Sequence, residues 1–151
     1  WNLFHAVTKE PVVPEKIAGN EPTTISEWEY CNWAVRVVMD YFDNDTGKIS
    51  SFCDAPGILP QIWFENNNNE KCWILVKHAI YPNIAEMDED FVPPSVILGF
   101  KGYFAGVSFC SADERHPEKK LFRNSQAYIR YLGLQEVWNG KVDLKESILW
   151  Q

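Results

Sequence analysis

A chain of 151 residues has the length of one domain with a core of its own, and seven Trp, six Tyr and nine Phe supply abundant apolar area for that core or for an interface. Its 21 acidic against 14 basic residues leave a net charge of −7, which excludes a nucleic-acid surface as its main business, because phosphates are held by clustered Lys and Arg. No apolar run is long enough to span a bilayer, and no leader pattern opens the chain as given, so the expected setting is the cytoplasm.

Residues 1–22 carry Pro11, Pro14 and Pro22 and predict an extended arm. The chain begins at Trp1 rather than Met, so a cut from a longer protein is one open reading. The first regular element is a helix from Glu27 to Asp43. Ser26 followed three residues later by Glu29 is a capping-box pattern, and Trp28, Cys31, Ala34, Val35, Val38, Tyr41 and Phe42 recur at helical spacing. The following Asp43-Asn44-Asp45-Thr46-Gly47 fails as a calcium loop. With Gly47 at the sixth position, Phe42 and Cys53 would fall where the loop needs carboxylates. A turn ending the helix is the expectation.

Lys48 to Cys53 predicts a strand, broken by Asp54-Ala55-Pro56-Gly57. From Leu59 to His78 the pattern is a hairpin. Ile62 and Phe64 alternate with Gln61, Trp63 and Glu65, four asparagines turn the chain, and Cys72 to Val76 is apolar on both faces, as a central strand is. A long connection, Tyr81 to Ser95, holds the acidic cluster Glu86, Asp88, Glu89 and Asp90. Val96 to Phe100 and Tyr103 to Ser111 then predict a second hairpin about Lys101-Gly102, or one long strand bent at the glycine. Within it Tyr103, Ala105, Val107 and Phe109 share a face. Tyr128 to Leu132 predicts the last strand, Leu134 to Trp138 a helical turn, and Asp143 to Trp150 a short closing helix. The fold class expected is α+β: a single domain over 1–151, with an N-terminal helix on a mostly antiparallel sheet of about five or six strands.

Motifs with chemical content are few. The four cysteines stand singly without a CxxC pair, and GxSxG, P-loop, GxGxxG and HExxH signatures are absent. Cys72 with His78 and Cys110 with His116 repeat one spacing, but read as core cysteines and surface histidines. His78, beside Lys77, is the histidine of most interest. Arg123, Tyr128 and Arg130 form a modest basic and aromatic grouping.

The order helix, strand, strand, strand, with Pro60-Gln61 followed on the next strand by Leu75-Val76-Lys77, resembles the core of the PD-(D/E)XK nuclease superfamily. That resemblance implies a divalent cation held by an acid at the place of Gln61 and by Glu, Asp or Gln at that of Leu75, beside Lys77. Neither ligand is acidic here, and leucine offers a metal no oxygen. Under this nuclease-like reading Asp54, Glu65 and Lys77 are the candidate catalytic residues, and a divalent metal the cofactor. The leading expectation is instead a non-catalytic domain without a cofactor. It binds another macromolecule, a protein of basic character, through Glu86, Asp88, Glu89 and Asp90, in the manner of an immunity protein or an inhibitor.

Overall fold

In a computed structural model of the chain, residues 7–11, 22–87, 99–113, 115–138 and 141–142 are described. The expected closing helix lies outside them, as does most of the arm. The first regular element among the described residues is helix α1, Glu27–Asp40, and its start is the one the sequence predicts. Ser26 Oγ accepts the Glu29 N–H at 3.3 Å while Glu29 Oε2 accepts the Ser26 N–H at 2.9 Å. These reciprocal bonds satisfy two donors that a helix start otherwise leaves open. Tyr30, Cys31, Ala34, Val35 and Val38 form the buried stripe. Trp28, expected on that stripe, is half exposed instead.

Strands β1 (Lys48–Phe52), β2 (Ile62–Glu65) and β3 (Lys71–Ile80) form an antiparallel meander. The Asn turn works through its side chains. Asn66 Oδ1 accepts the N–H groups of Asn68 and Glu70, at 3.0 and 2.9 Å, and Asn69 takes a positive φ of 61°. β4 (Lys101–Ser111) then lies parallel to β3 over nine residue pairs, Cys72↔Lys101 to Ile80↔Phe109. The hairpin expected about Lys101-Gly102 is not formed, because those residues open the strand. Gly102 is needed for space, since a Cβ there would lie inside the ring of Trp73 on the neighbouring strand. Residues Val96 to Leu98, its proposed first arm, fall outside the described part.

On the other edge of β4, β5 (Ala127–Tyr131) and β6 (Gln135–Trp138) lie end to end, both antiparallel to it. Between Tyr131↔Val107 and Gln135↔Phe104, three residues oppose two, a bulge whose middle residue, Gly133, has φ 84°. The helical turn expected over Leu134 to Trp138 is therefore a strand. It pairs with β7, Lys141–Val142, through Trp138↔Lys141. The sheet order is β1-β2-β3-β4-β6-β7 with β5 beside β4, a mixed, chiefly antiparallel sheet that carries one helix among the described residues, an α+β fold.

Pleating sorts the core. Ile62, Phe64, Cys72, Ile74, Val76, Ala105, Val107 and Phe109 meet α1 on one face. Trp73, Leu75, Phe104 and Val137 form a smaller cluster on the other, flanked by Trp63, Met87 and Phe100. The alternation of Tyr103, Ala105, Val107 and Phe109 read from the sequence is thus the helix-facing side of β4.

Candidate functional site

The positions that resemble the nuclease core come together, but their atoms are used for structure. Gln61 lies one step beyond the Ile62↔Ile74 pair, across from Leu75, where β2 leaves the ladder. Its side chain is buried, and its Oε1 accepts the Val76 N–H at 2.8 Å, while its own carbonyl accepts the Cys53 N–H at 2.7 Å. The amide stands in for the strand partner that Val76 loses there. Leu75 is 1% exposed and belongs to the smaller core cluster. Lys77 follows it on the same face, half-buried and paired in register with Gly106.

The three candidate acid and base residues are not brought together. Asp54 accepts a hydrogen bond from Asn32 Nδ2 of α1, and Asn32 Oδ1 in turn accepts from Arg36 Nε at 3.1 Å, so the carboxylate is tied to the helix side. Lys77 projects from the opposite face of the sheet. Glu65 is exposed at the far end of the hairpin, opposite Lys71, and six residues of strand separate Lys71 from Lys77, about 20 Å. His78 faces the helix, stacked on Tyr30 at 5.7 Å with Nε2 3.2 Å from Glu27 Oε1, a clasp between β3 and the start of α1. Among the described residues no three His, Cys, Asp or Glu side chains are grouped as a metal site.

Of the acidic cluster, Glu86 is exposed, and Asp88, Glu89 and Asp90 lie outside the described residues. The segment that carries Glu86 lies on the sheet face away from the helix. The Ala85 N–H donates to Ser108 Oγ at 3.3 Å, and Gly106 leaves room for the Ala85 carbonyl. Ile84 and Ala85 line a small hollow with Arg130 and Leu132. On this face Ile84, Tyr128 and Leu132 are each half exposed, whereas Ile129, also half exposed, projects from the helix-facing side. Arg123 does not join this group, because its Nε pairs with Glu29 Oε1 at 2.7 Å beside the helix cap.

β5 also offers backbone. The Phe109 carbonyl accepts the Tyr81 N–H, so Phe109 directs its polar groups toward β3, and by alternation Ser108 and Cys110 serve Arg130 and Tyr128. The N–H and C=O of Ile129 consequently point outward from the sheet.

On the helix-facing side, α1 packs chiefly on β3 and β4, and a cavity of about 620 Å³ opens beside β5 at the helix C-terminus. Tyr41, Phe42, Asp43, Thr46, Tyr103 and Tyr131 are among its lining residues. Asp43 Oδ1 accepts from Thr46 N–H at 2.8 Å and from Thr46 Oγ1 at 2.6 Å, which holds its carboxyl below the usual carboxylate range. Burial pushes the Tyr131 phenol up to about 12, so it stays neutral. Lys101 Nζ lies 5.5 Å from the Tyr103 ring centroid and 3.3 Å from Glu136 Oε1. In the sequence Asp43 reads only as the end of the helix and the start of a turn. The tyrosines gather from α1, β4 and β5, elements far apart in the chain, so no local pattern marks them.

The profile of one protein family, described as a domain of unknown function (DUF8840), matches residues 28–137, and the chain belongs to that family. No curated protein and no solved structure matches it. Among the described residues no helix is long and apolar enough to cross a membrane.

Proposed function

With membership of that family as the premise, we propose that the domain is a non-catalytic module that binds a protein partner of basic character, in the manner of an immunity protein or an inhibitor. The observation that carries this reading is the surface at β5 and its neighbouring connection. There Ile84, Tyr128 and Leu132 stand half exposed on the sheet face away from the helix, on the side that also carries the Glu86 segment, on a chain of net charge −7. Grouped apolar side chains with a polar surround are the usual mark of an interaction surface, and net negative charge steers basic partners toward it. Under this reading Asp88, Glu89 and Asp90, which follow Glu86 in the sequence, add to the negative charge that draws the partner. Its setting is a reducing compartment such as the cytoplasm, which suits four unpaired thiols.

Capture with the immobilised domain tests it. A partner retained by the native protein should be lost with Leu132→Arg, and weakened at raised salt and by Glu86→Lys. Retention unaffected by all three changes would remove the assignment of this surface.

A second reading, an inactive relative of the PD-(D/E)XK nucleases, draws support from the meeting of Gln61, Leu75 and Lys77 on one face. It predicts no rise in melting temperature with Mg²⁺ or Mn²⁺. A metal-dependent rise lost with Asp54→Asn would restore a divergent nuclease site instead.

A further inference from the structure

The cavity at the end of α1 combines three features that favour the same ligand charge. Its lining includes the aromatic side chains of Tyr41, Phe42, Tyr103 and Tyr131. Tyr41 and Tyr131 are in contact, with ring centroids 5.7 Å apart, and Phe42 and Tyr103 each pack on Phe64, at 5.0 and 5.5 Å. Two aromatic walls result, one from the helix end and β5, the other backed by β2. Aromatic faces carry negative potential and attract organic cations. Asp43 adds a carboxylate whose Oδ1 is held by the Thr46 backbone and hydroxyl. The helix adds the negative end of its dipole, with no basic residue in its last turn to neutralise it.

The charged groups around the cavity do not reverse this. Lys101, the cation nearest Tyr103, is matched by Glu136, and Arg36 on the neighbouring turn of α1 is turned toward Asn32. The Tyr131 hydroxyl has no hydrogen-bond partner among the described residues, and so offers an acceptor to a ligand N–H. At about 620 Å³ the space lies within the range of small-ligand pockets, about 300–1,000 Å³, and suits a long side chain with its head group.

The geometry points to this cavity as the receptor for a guanidinium or alkylammonium group, an arginine or lysine side chain presented by the protein partner. The assignment rests on the binding reading above and gives it a second, deeper contact on the other face of β5. The aromatic walls take the alkyl stem and the face of the head group, Asp43 and the helix end compensate its charge, and the Tyr131 oxygen accepts one N–H. A neutral side chain of the same shape would find the walls but not the field.

The test is a titration of the whole chain with N-acetyl-arginine methylamide and, separately, with its uncharged isostere N-acetyl-citrulline methylamide, followed by NMR. The arginine probe should shift signals of Tyr41, Asp43 and Tyr131 saturably and bind about tenfold tighter than citrulline, the factor expected for one partly desolvated charge contact. Tyr41→Leu should lower arginine affinity about threefold and leave citrulline unchanged, and its 73% exposure keeps the substitution from disturbing the fold. Asp43→Asn, which keeps an oxygen for Thr46, should erase most of the preference for arginine. Equal binding of the two probes, or no saturable shift with arginine, overturns the cation site. Capture of a protein partner that neither variant weakens also overturns it and leaves the binding reading intact. Saturable arginine binding by a chain that captures no partner sinks that reading instead and makes a free organic cation the ligand.

Discussion

β3 and β5 flank the same strand, β4, and both are rich in apolar residues, yet they meet opposite fates. From Cys72 to Val76, β3 is buried on both faces, under α1 on one side and among Trp73, Leu75 and Phe104 on the other. Tyr128 and Ile129 of β5, on opposite faces of the strand, remain half in water, and no further strand pairs with its outer edge among the described residues. Composition does not separate the two strands; their place in the sheet does. A central strand spends its side chains on stability, and an edge strand keeps them available for a partner.

That contrast is sharpest in what truncation costs. Leu75→Ala should destabilise by about 2–5 kcal/mol, read as a shifted denaturant midpoint at constant slope. A cost as small as that of a surface change would mean that the far face of β3 is not a core. The next largest effect concerns the same strand's backbone. Gln61→Met preserves bulk but leaves the Val76 N–H without an acceptor, at about 1–3 kcal/mol, and hydrogen exchange at Val76 should accelerate.

The helix cap should yield a smaller change with a pH signature. Ser26→Ala should cost about 1 kcal/mol. Glu29 is held at about 2, first by the Ser26 N–H, then by the Ser26 hydroxyl and by Arg123, against an ordinary value of 4.5. The depressed carboxyl contributes stability above its unfolded value, and that contribution is lost as pH falls from 4.5 through about 2. Acid unfolding curves of the native protein and of Arg123→Ala should differ in that window, the variant losing less on acidification. Smallest of all, Tyr128→Ser and Leu132→Ser should change stability by only about 0.5 kcal/mol while removing partner retention. A loss of several kcal/mol from Tyr128→Ser would show that β5 is core after all and end its comparison with a docking edge.

The elements that could be read from the chain are those whose cause is local. The Ser26 and Glu29 box starts α1 through atoms three residues apart, and the asparagine run turns the hairpin through its own side chains. The errors have distant causes. Gly102 reads as a turn residue until Trp73, on the strand beside it, is seen to occupy the volume of the missing side chain. Leu134 to Trp138 reads as a helical turn, but β4 offers an open edge that draws it into the sheet beyond the Gly133 bulge. The candidate site divides the same way. Gln61, Leu75 and Lys77 were legible as a group because a hairpin register brings them together, whereas Asp54 and Glu65 were placed by pattern alone and lie apart. The cavity at Tyr41, Asp43, Tyr103 and Tyr131 left no trace in any window of the sequence.

By itself, the sequence determined the α+β class, the capped helix, the central hairpin and the acidic balance, because periodicity, capping chemistry and charge act over a few residues or over the whole sum. The tertiary structure decided the parallel pairing of β3 with β4, the exposure of β5 and the aromatic cavity at the end of α1. Each of these depends on which surfaces remain uncovered once one short helix has been laid across a wider sheet.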